Sequence, residues 1–202
     1  MNRTLLKTGL LAVGLSVCAA LPVRAQKQAP PEGGPAKAFT VPAHETYTLA
    51  NGLKVTLVPY GNLPKVSVDI LITAGSADEG KDHQGVAGLT TDLLNEGTEK
   101  LTANQLADEA ARMGSTLSTS SSYDRTDAGL DVLSEFGPDA VRLIADVVMH
   151  PRLPESELDR HKNDTLRQIA LGSSRPQTIA AMRFRKILYG DHPYSVILPS
   201  EG

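Results

Sequence analysis

The sequence predicts an α+β fold in which a largely antiparallel β-sheet is covered by helices, and three observations support this class. Apolar residues alternate at period two along Lys65–Thr73, as in a half-buried strand. Asn51 and Gly52 separate two β-favouring runs and predict a type I′ hairpin. The predicted order, β-β-β-α-α-β-β-α-α-α, lacks the regular alternation of a parallel α/β sheet.

Five strands are predicted. Each is a β-favouring run with turn-forming residues before and after it. They cover Tyr47–Ala50, Leu53–Tyr60, Lys65–Thr73, Thr116–Ser121 and Arg125–Leu133. The fourth is rich in Ser and Thr, whereas Leu130 and Val132 give the fifth a common apolar face.

The stretch from Gly85 to Thr98 predicts the first helix, which Gly97 stops at the position after the C-cap. At 100° per residue, one side of this helix is mainly apolar and carries Val86, Leu89, Thr90 and Leu93. The opposite side is small and polar and carries Gly88, Thr91, Asp92 and Asn95. We therefore expect an apolar back and a solvated polar front.

Four further helices are predicted from caps and prolines. Thr102 and Gln105 have the spacing of a capping box, and Gly114 follows the end of that helix. Proline in the first turn marks the other three starts, at Pro138, Pro154 and Pro176. The last of these helices is expected to end near Tyr189.

The segment Met1–Ala25 predicts a secretory signal peptide. A basic start precedes the apolar run Gly9–Leu21, which is too short to span a bilayer comfortably. Small residues within Val23–Ala25 predict cleavage before Gln26, and Cys18 leaves lipid attachment as an alternative. We therefore expect an exported protein, periplasmic or extracellular, with no stable membrane span.

Residues 26–44 are rich in Pro and Gly and predict a linker, so the folded domain is expected over residues 45–202. The net charge of -3 becomes more negative without the basic leader, which argues against a nucleic-acid partner. Aromatic residues make up only 4% of the chain and Trp is absent, so no stacking platform for single strands is indicated.

The Gly85–Thr98 stretch resembles the inverted zinc motif of the pitrilysin/insulinase family, which includes the mitochondrial processing peptidases. There the frame reads Gly-x-Ala-His-x-x-Glu-His-x-x-x-x-Gly-Thr. Here Gly88 stands for the first His, Thr91 for the Glu and Asp92 for the second His. The resemblance runs from about Tyr47 to Tyr194 and implies one half of a two-half clamshell around a peptide chamber.

The resemblance also places Gln168 at the family's third metal ligand, a Glu on the helix after Pro154, and His161 where a second Glu usually lies. Catalytic zinc needs three protein ligands, an open position for water and a nearby base. Gly88, Thr91 and Gln168 supply none of these, and Asp92 alone cannot hold zinc. We therefore predict no catalytic, metal or cofactor residue in this chain. A replacement site is not favoured either, because no two of the five histidines form an i, i+4 pair: His44, His83, His150, His161 and His192.

These observations favour a non-catalytic subunit or half, which shapes the peptide chamber for an active, zinc-bearing partner of the same family. The Ser- and Thr-rich strands would offer an edge to an extended peptide substrate. One alternative is an active zinc metalloendopeptidase whose ligands lie elsewhere or in a C-terminal half; another is a structural module of the cell envelope. Since family members continue after the His-Pro-Tyr turn, we expect a chain truncated at its C-terminal end, and residues 26–202 alone to aggregate or dimerise.

Overall fold

The structure, a computed structural model, describes residue 34 and residues 40–197. The predicted signal peptide, Cys18 and most of the predicted linker lie outside the described residues. The chain divides into two units, Met1–Tyr60 and Gly61–Gly202, which are described separately below. No helix among the described residues has the length and apolar character needed to cross a membrane.

The first unit contains an antiparallel hairpin of two strands, β1 (Glu45–Thr48) and β2 (Lys54–Leu57). The predicted hairpin is present, but the predicted type I′ turn is wrong, because only Gly52 has a positive φ, at 89°. Gly52 N–H donates to the Leu49 carbonyl (2.9 Å), and Leu49 N–H donates to the Leu53 carbonyl (2.8 Å). Asn51 instead accepts a hydrogen bond from Leu53 N–H through its side chain (3.1 Å), so the loop is a turn followed by a left-handed glycine.

The second unit contains a three-stranded antiparallel sheet in the order β3-β5-β4. Its strands are β3 (Lys65–Ile72), β4 (Ser118–Ser121) and β5 (Thr126–Leu133). The predicted alternation along β3 is confirmed, since Val66, Val68 and Ile70 pack against the core. Because β5 is central, β3 and β4 each pair on one side only among the described residues.

The described part of the chain contains five α-helices, as the sequence predicts: α1 (Val86–Leu94), α2 (Ala103–Arg112), α3 (Gly137–Met149), α4 (Glu155–Ser173) and α5 (Pro176–Tyr189). The capping box of α2 is confirmed, since Thr102 Oγ1 accepts from Gln105 N–H and Gln105 Oε1 accepts from Thr102 N–H (3.0 Å). Gly114 follows that helix with φ 71°, as expected for a residue after a C-cap.

The hydrophobic core lies where α2 and α3 cover one face of the sheet. Its buried side chains come from α1, from α2 and the C-cap residue that follows it, from β5 and from α3: Leu94, Leu106, Ala110, Met113, Ala128, Leu130, Val132, Ala140, Leu143, Ile144 and Val147. The link from α1 to α2 is fixed at Gly97, whose φ of 115° favours glycine and where a Cβ would collide with the Leu101 carbonyl oxygen. The core thus anchors the C-terminal end of α1, while α1 also contacts β4 and α4.

Candidate functional site: a degenerate metal motif on α1 and α4

Gly88 lies in the first turn of α1 and faces open space. A Cβ built at this position would meet no atom within 4 Å. Gly88 also lines an open pocket of about 760 Å³. A side chain could therefore be accommodated here, and its absence leaves room beside the helix.

Thr91 does not lie on a solvated front, so the predicted faces of α1 are wrong at this position. Its side chain is buried, with only 4% of the residue exposed, whereas Val86 on the predicted apolar side is 49% exposed. The Thr91 hydroxyl donates to the Gly88 carbonyl within the same helix (2.7 Å), which satisfies its polar group. Thr119 of β4 donates to the Thr91 carbonyl (2.9 Å), so packing against β4 explains the burial.

Asp92 is exposed, and it faces a histidine of α4 that the sequence also singles out. His161 Nδ1 lies 3.9 Å from Asp92 Oδ2, and His161 Nε2 lies 2.9 Å from Glu96 Oε1. Arg160 donates to the same oxygen of Glu96. We call these four residues the α1–α4 polar cluster; the side chains of His161 and Glu96 within it are only 13% and 17% exposed.

Gln168 lies further along α4 and does not join this cluster. Its side chain is exposed, and it makes no hydrogen bond to α1 in the described part of the chain. The structure therefore brings Asp92 and His161 together but does not bring Gln168 to them.

The residues at these positions do not fit a zinc ion. Gly88 has no donor atom, the Thr91 hydroxyl is already committed to a helix carbonyl, and the Gln168 amide is exposed and uncharged. Within residues 40–197, no group of three or more His, Cys, Asp or Glu side chains is arranged to hold a metal. The α1–α4 polar cluster instead joins the two helices by hydrogen bonds and ion pairs.

Glu79 holds the N-terminal end of α1, a role that the sequence does not predict. Its two carboxylate oxygens accept from Gly85 N–H (2.7 Å) and Ala87 N–H (2.6 Å), and so cap the N-terminal end of α1. Only its place in an acidic stretch before a helix start could have indicated this role. It fixes the end of α1 nearest to Gly88.

Aromatic side chains form a second group near the pocket. The rings of Tyr123 and Tyr194 are 5.1 Å apart, and Tyr123 Oη donates to the Val196 carbonyl (2.5 Å). Arg185 of α5 donates to Tyr123 Oη. Tyr194 Oη donates to Asp124 Oδ1 (2.6 Å), and this hydrogen bond is the main reason why the pKa of Tyr194 is raised. These contacts tie the turn after α5 to the β4–β5 connection.

The fold and the altered motif identify the family. Residues 55–199 match the sequence model of the insulinase family, peptidase family M16, and the chain belongs to this family. The fold class predicted from the sequence is also that of solved peptidase M16 domains.

The relatives of known sequence include proteins named as zinc proteases and a subunit of the mitochondrial cytochrome b-c1 complex. The chain is 29% identical over 163 residues to an uncharacterized zinc protease of Mycobacterium bovis, covering 81% of this chain and 37% of that protein. It is 29% identical over 130 residues to mitochondrial cytochrome b-c1 complex subunit 1 of Bos taurus, covering 64% of this chain and 27% of that subunit.

Among solved structures, a peptidase M16 inactive domain from Pseudomonas fluorescens superimposes with a TM-score of 0.71 at 32% identity. That match covers 79% of this chain and 38% of the other. The chain thus spans between about a quarter and two fifths of the length of these relatives.

Proposed function

We propose that this chain is a non-catalytic part of an exported M16-type peptidase, which shapes the peptide chamber for an active, zinc-bearing partner of the same family. One observation carries this proposal: the family fold is kept around α1 and α4, while Gly88, Thr91 and Gln168 offer neither ligand nor base. Such a domain contributes by positioning a peptide rather than by bond chemistry.

The edge of β4 supports a peptide-binding role. Among the described residues β4 pairs only with β5, so its outer main-chain groups are available to an added strand. Thr119 in the middle of β4 accepts from Asn95 Nδ2 (2.6 Å) and donates to the Thr91 carbonyl. These contacts hold the strand edge against α1, beside the altered motif.

The relatives support the same reading. The Pseudomonas fluorescens structure is described as an inactive domain, so the fold occurs without activity. The bovine relative is a subunit of the cytochrome b-c1 complex, so a relative serves within a larger assembly. By analogy, we propose that this chain works with a partner subunit or a second half.

An active zinc endopeptidase is the second candidate, favoured by the name of the Mycobacterium bovis relative as a zinc protease. Its zinc ligands would lie elsewhere in the chain or in a C-terminal half, since no group of three or more His, Cys, Asp or Glu side chains among the described residues is arranged to hold a metal. Zinc content separates the two candidates directly.

The test uses the mature chain, purified without chelators. We expect elemental analysis to give well under one equivalent of zinc per chain, and we expect the chain alone to cleave no unstructured peptide. When the chain is added to an active His-x-x-Glu-His family member from the same organism, we expect the peptidase rate of that member to rise. One equivalent of bound zinc that Asp92→Ala removes would overturn the non-catalytic role and favour the enzyme.

Export is tested separately by N-terminal sequencing of the protein recovered from outside the cytoplasm. The sequence pattern in Val23–Ala25 predicts a mature chain that starts at Gln26. An intact Met1 on soluble, exported protein would contradict the predicted cleavage.

A further inference from the structure

The segment between β2 and β3 is exposed along its whole length. All residues from 58 to 64 are exposed, and Tyr60 and Leu63 are its most exposed large apolar residues, at 84% and 81%. Between residues 58 and 62 the described structure contains no hydrogen bond, ion pair or ring contact. The main chain of this segment can therefore change conformation without breaking a contact of that kind.

The same segment contains the boundary between the two units. The first unit ends at Tyr60, and the second begins at Gly61, whose φ of 77° is in the left-handed region. Among the described residues, every buried side chain of the hydrophobic core lies in the second unit, as do the partly buried residues packed against it. A break in the chain after Tyr60 would therefore leave that core complete.

The residues around this boundary suit the active site of an endopeptidase. Exposed loops are preferred sites of proteolytic cutting in folded proteins, and a protease of the chymotrypsin type has an apolar slot for the side chain before the scissile bond. The exposed Tyr60 ring can enter such a slot, and Gly61 places no side chain after the bond. Leu63 is nearly as exposed, but the next nitrogen belongs to Pro64, whose ring fixes φ and removes the N–H, so that bond is a poor substrate.

The other aromatic residues of the described chain are less accessible to a protease. Tyr47 lies in β1, which is paired with β2, and Phe184 and Tyr189 lie in α5. Each would have to leave its strand or helix before a protease could bind it in an extended conformation. The remaining three are only partly exposed: Tyr123, Phe136 and Tyr194.

We propose that the bond between Tyr60 and Gly61 is a cleavage site for serine endopeptidases that select an aromatic residue before the scissile bond. The protease serine oxygen attacks the Tyr60 carbonyl carbon, and the Gly61 nitrogen takes up a proton and leaves as an amine. Water then releases Tyr60 as a carboxylate, so the net reaction is hydrolysis of one peptide bond. This site goes beyond the proposed chamber role and does not depend on it. Cleavage separates the β1–β2 hairpin from a fragment that starts at Gly61 and contains the core.

The test incubates the full mature chain with a small amount of chymotrypsin and identifies the products by intact mass and N-terminal sequencing. We expect the first cut beyond residue 44 to give a fragment that starts at Gly61 and keeps a cooperative thermal transition. Tyr60→Ser should slow the formation of this fragment by about tenfold or more, because the slot of the protease then stays empty. Phe184→Ser, the matched change of an exposed aromatic residue in α5, should leave its rate unchanged.

A destabilised variant separates cleavage of the folded protein from cleavage through unfolding. Gly97→Ala places a Cβ against the Leu101 carbonyl oxygen, and it should leave the cutting rate at Tyr60 unchanged if the folded protein is the substrate. A first cut elsewhere beyond residue 44, an undiminished rate in Tyr60→Ser, or a rate that rises about tenfold in Gly97→Ala would overturn the site. None of these results alters the zinc content or partner stimulation of the uncut chain, so the proposed function is tested independently.

Discussion

Two glycines near the altered motif have opposite requirements. Gly97 needs its left-handed backbone, with φ at 115°, and a Cβ there would collide with the Leu101 carbonyl oxygen. We expect Gly97→Ala to lower the free energy of unfolding by about 2 kcal/mol or more, because both strain and a steric clash follow. Denaturant unfolding followed by circular dichroism measures this change.

Gly88→Ala provides the matched control, since Gly88 is helical and its Cβ direction is empty. Alanine should leave stability unchanged or raise it by up to about 1 kcal/mol through helix propensity. Similar losses of stability at both positions would show that the backbone at residue 97 is not under the predicted constraint.

Residue-level features of the site were only partly predictable from the sequence. The lack of ligands at Gly88 and Gln168 follows from residue identity alone. The burial of Thr91 does not, because it depends on β4, which is distant in sequence and reaches the helix through Thr119. Helical periodicity ranks the sides of a helix by polarity, and a threonine whose hydroxyl bonds its own helix can occupy the buried side.

At the scale of elements, the α1–α4 polar cluster links two helices that are distant in sequence. Its central hydrogen bond joins Glu96 and His161, which are 65 positions apart. We expect Glu96→Ala and His161→Ala each to lower the free energy of unfolding by about 1–2 kcal/mol, because each removes a hydrogen bond from a partly buried polar or charged partner. A double-mutant cycle should give a coupling energy of about 1 kcal/mol.

Lys162→Ala, next to His161 but exposed and in no ion pair among the described residues, is the control for lost side-chain volume on α4. It should stay within about 0.5 kcal/mol of the wild type. Strict additivity of the Glu96 and His161 substitutions would mean that the cluster does not fasten the two helices.

A second inter-element contact gives a pH dependence. The pKa of Asp146 on α3 is lowered, first by its hydrogen bond from Lys100, although burial opposes the shift. A carboxyl group whose folded-state pKa is depressed stabilises the fold above its unfolded pKa, near 4, and this stability is lost as the pH falls through the folded value.

We therefore expect Asp146→Asn to lower the unfolding midpoint at pH 6 and to lose most of this effect near pH 2. Thermal unfolding at the two pH values makes the comparison. The matched variant is Asp159→Asn, an exposed residue of α4, which should shift the midpoint little at either pH. An Asp146→Asn effect that is the same at pH 2 would exclude the carboxylate as its source.

The order and type of the elements could be predicted well, because their signals are local. The capping box at Thr102 and the prolines near helix starts act within one turn of the chain. The predicted turn type at Asn51 and Gly52 is wrong because two local conformations compete there. The Asn51 side chain accepts a hydrogen bond from Leu53 N–H, and the Asn51 backbone does not adopt a positive φ. The α1–α4 polar cluster had no local signal at all.

At the scale of the whole molecule, the outward side of α5 is unusual for a surface helix. Its exposed apolar residues include Phe184 (66% exposed), Ile187 (85%) and Leu188 (59%). A stripe of this kind favours association in water. We therefore expect residues 26–202 to self-associate with rising concentration in sedimentation velocity. The edges of β3 and β4, each paired on one side only among the described residues, favour association in the same way.

Replacing Phe184 and Ile187 together by Ser should shift the distribution towards the monomer with little loss of stability, because both side chains are exposed. Arg183→Ser on the same helix is the control and should leave association unchanged. A monodisperse wild-type monomer at millimolar concentration would contradict this expectation.

The Glu79 contacts also constrain how the sequence can vary in length. The Glu79 carboxylate accepts hydrogen bonds from two amides at the start of α1, which lie only six and eight residues later in the chain. The segment between the carboxylate and these amides is therefore a closed loop of fixed length. One residue added or removed between positions 80 and 84 would carry the carboxylate away from the helix end and uncap it. Insertions and deletions among functional variants of this protein should therefore avoid that segment, even though its side chains are mostly exposed.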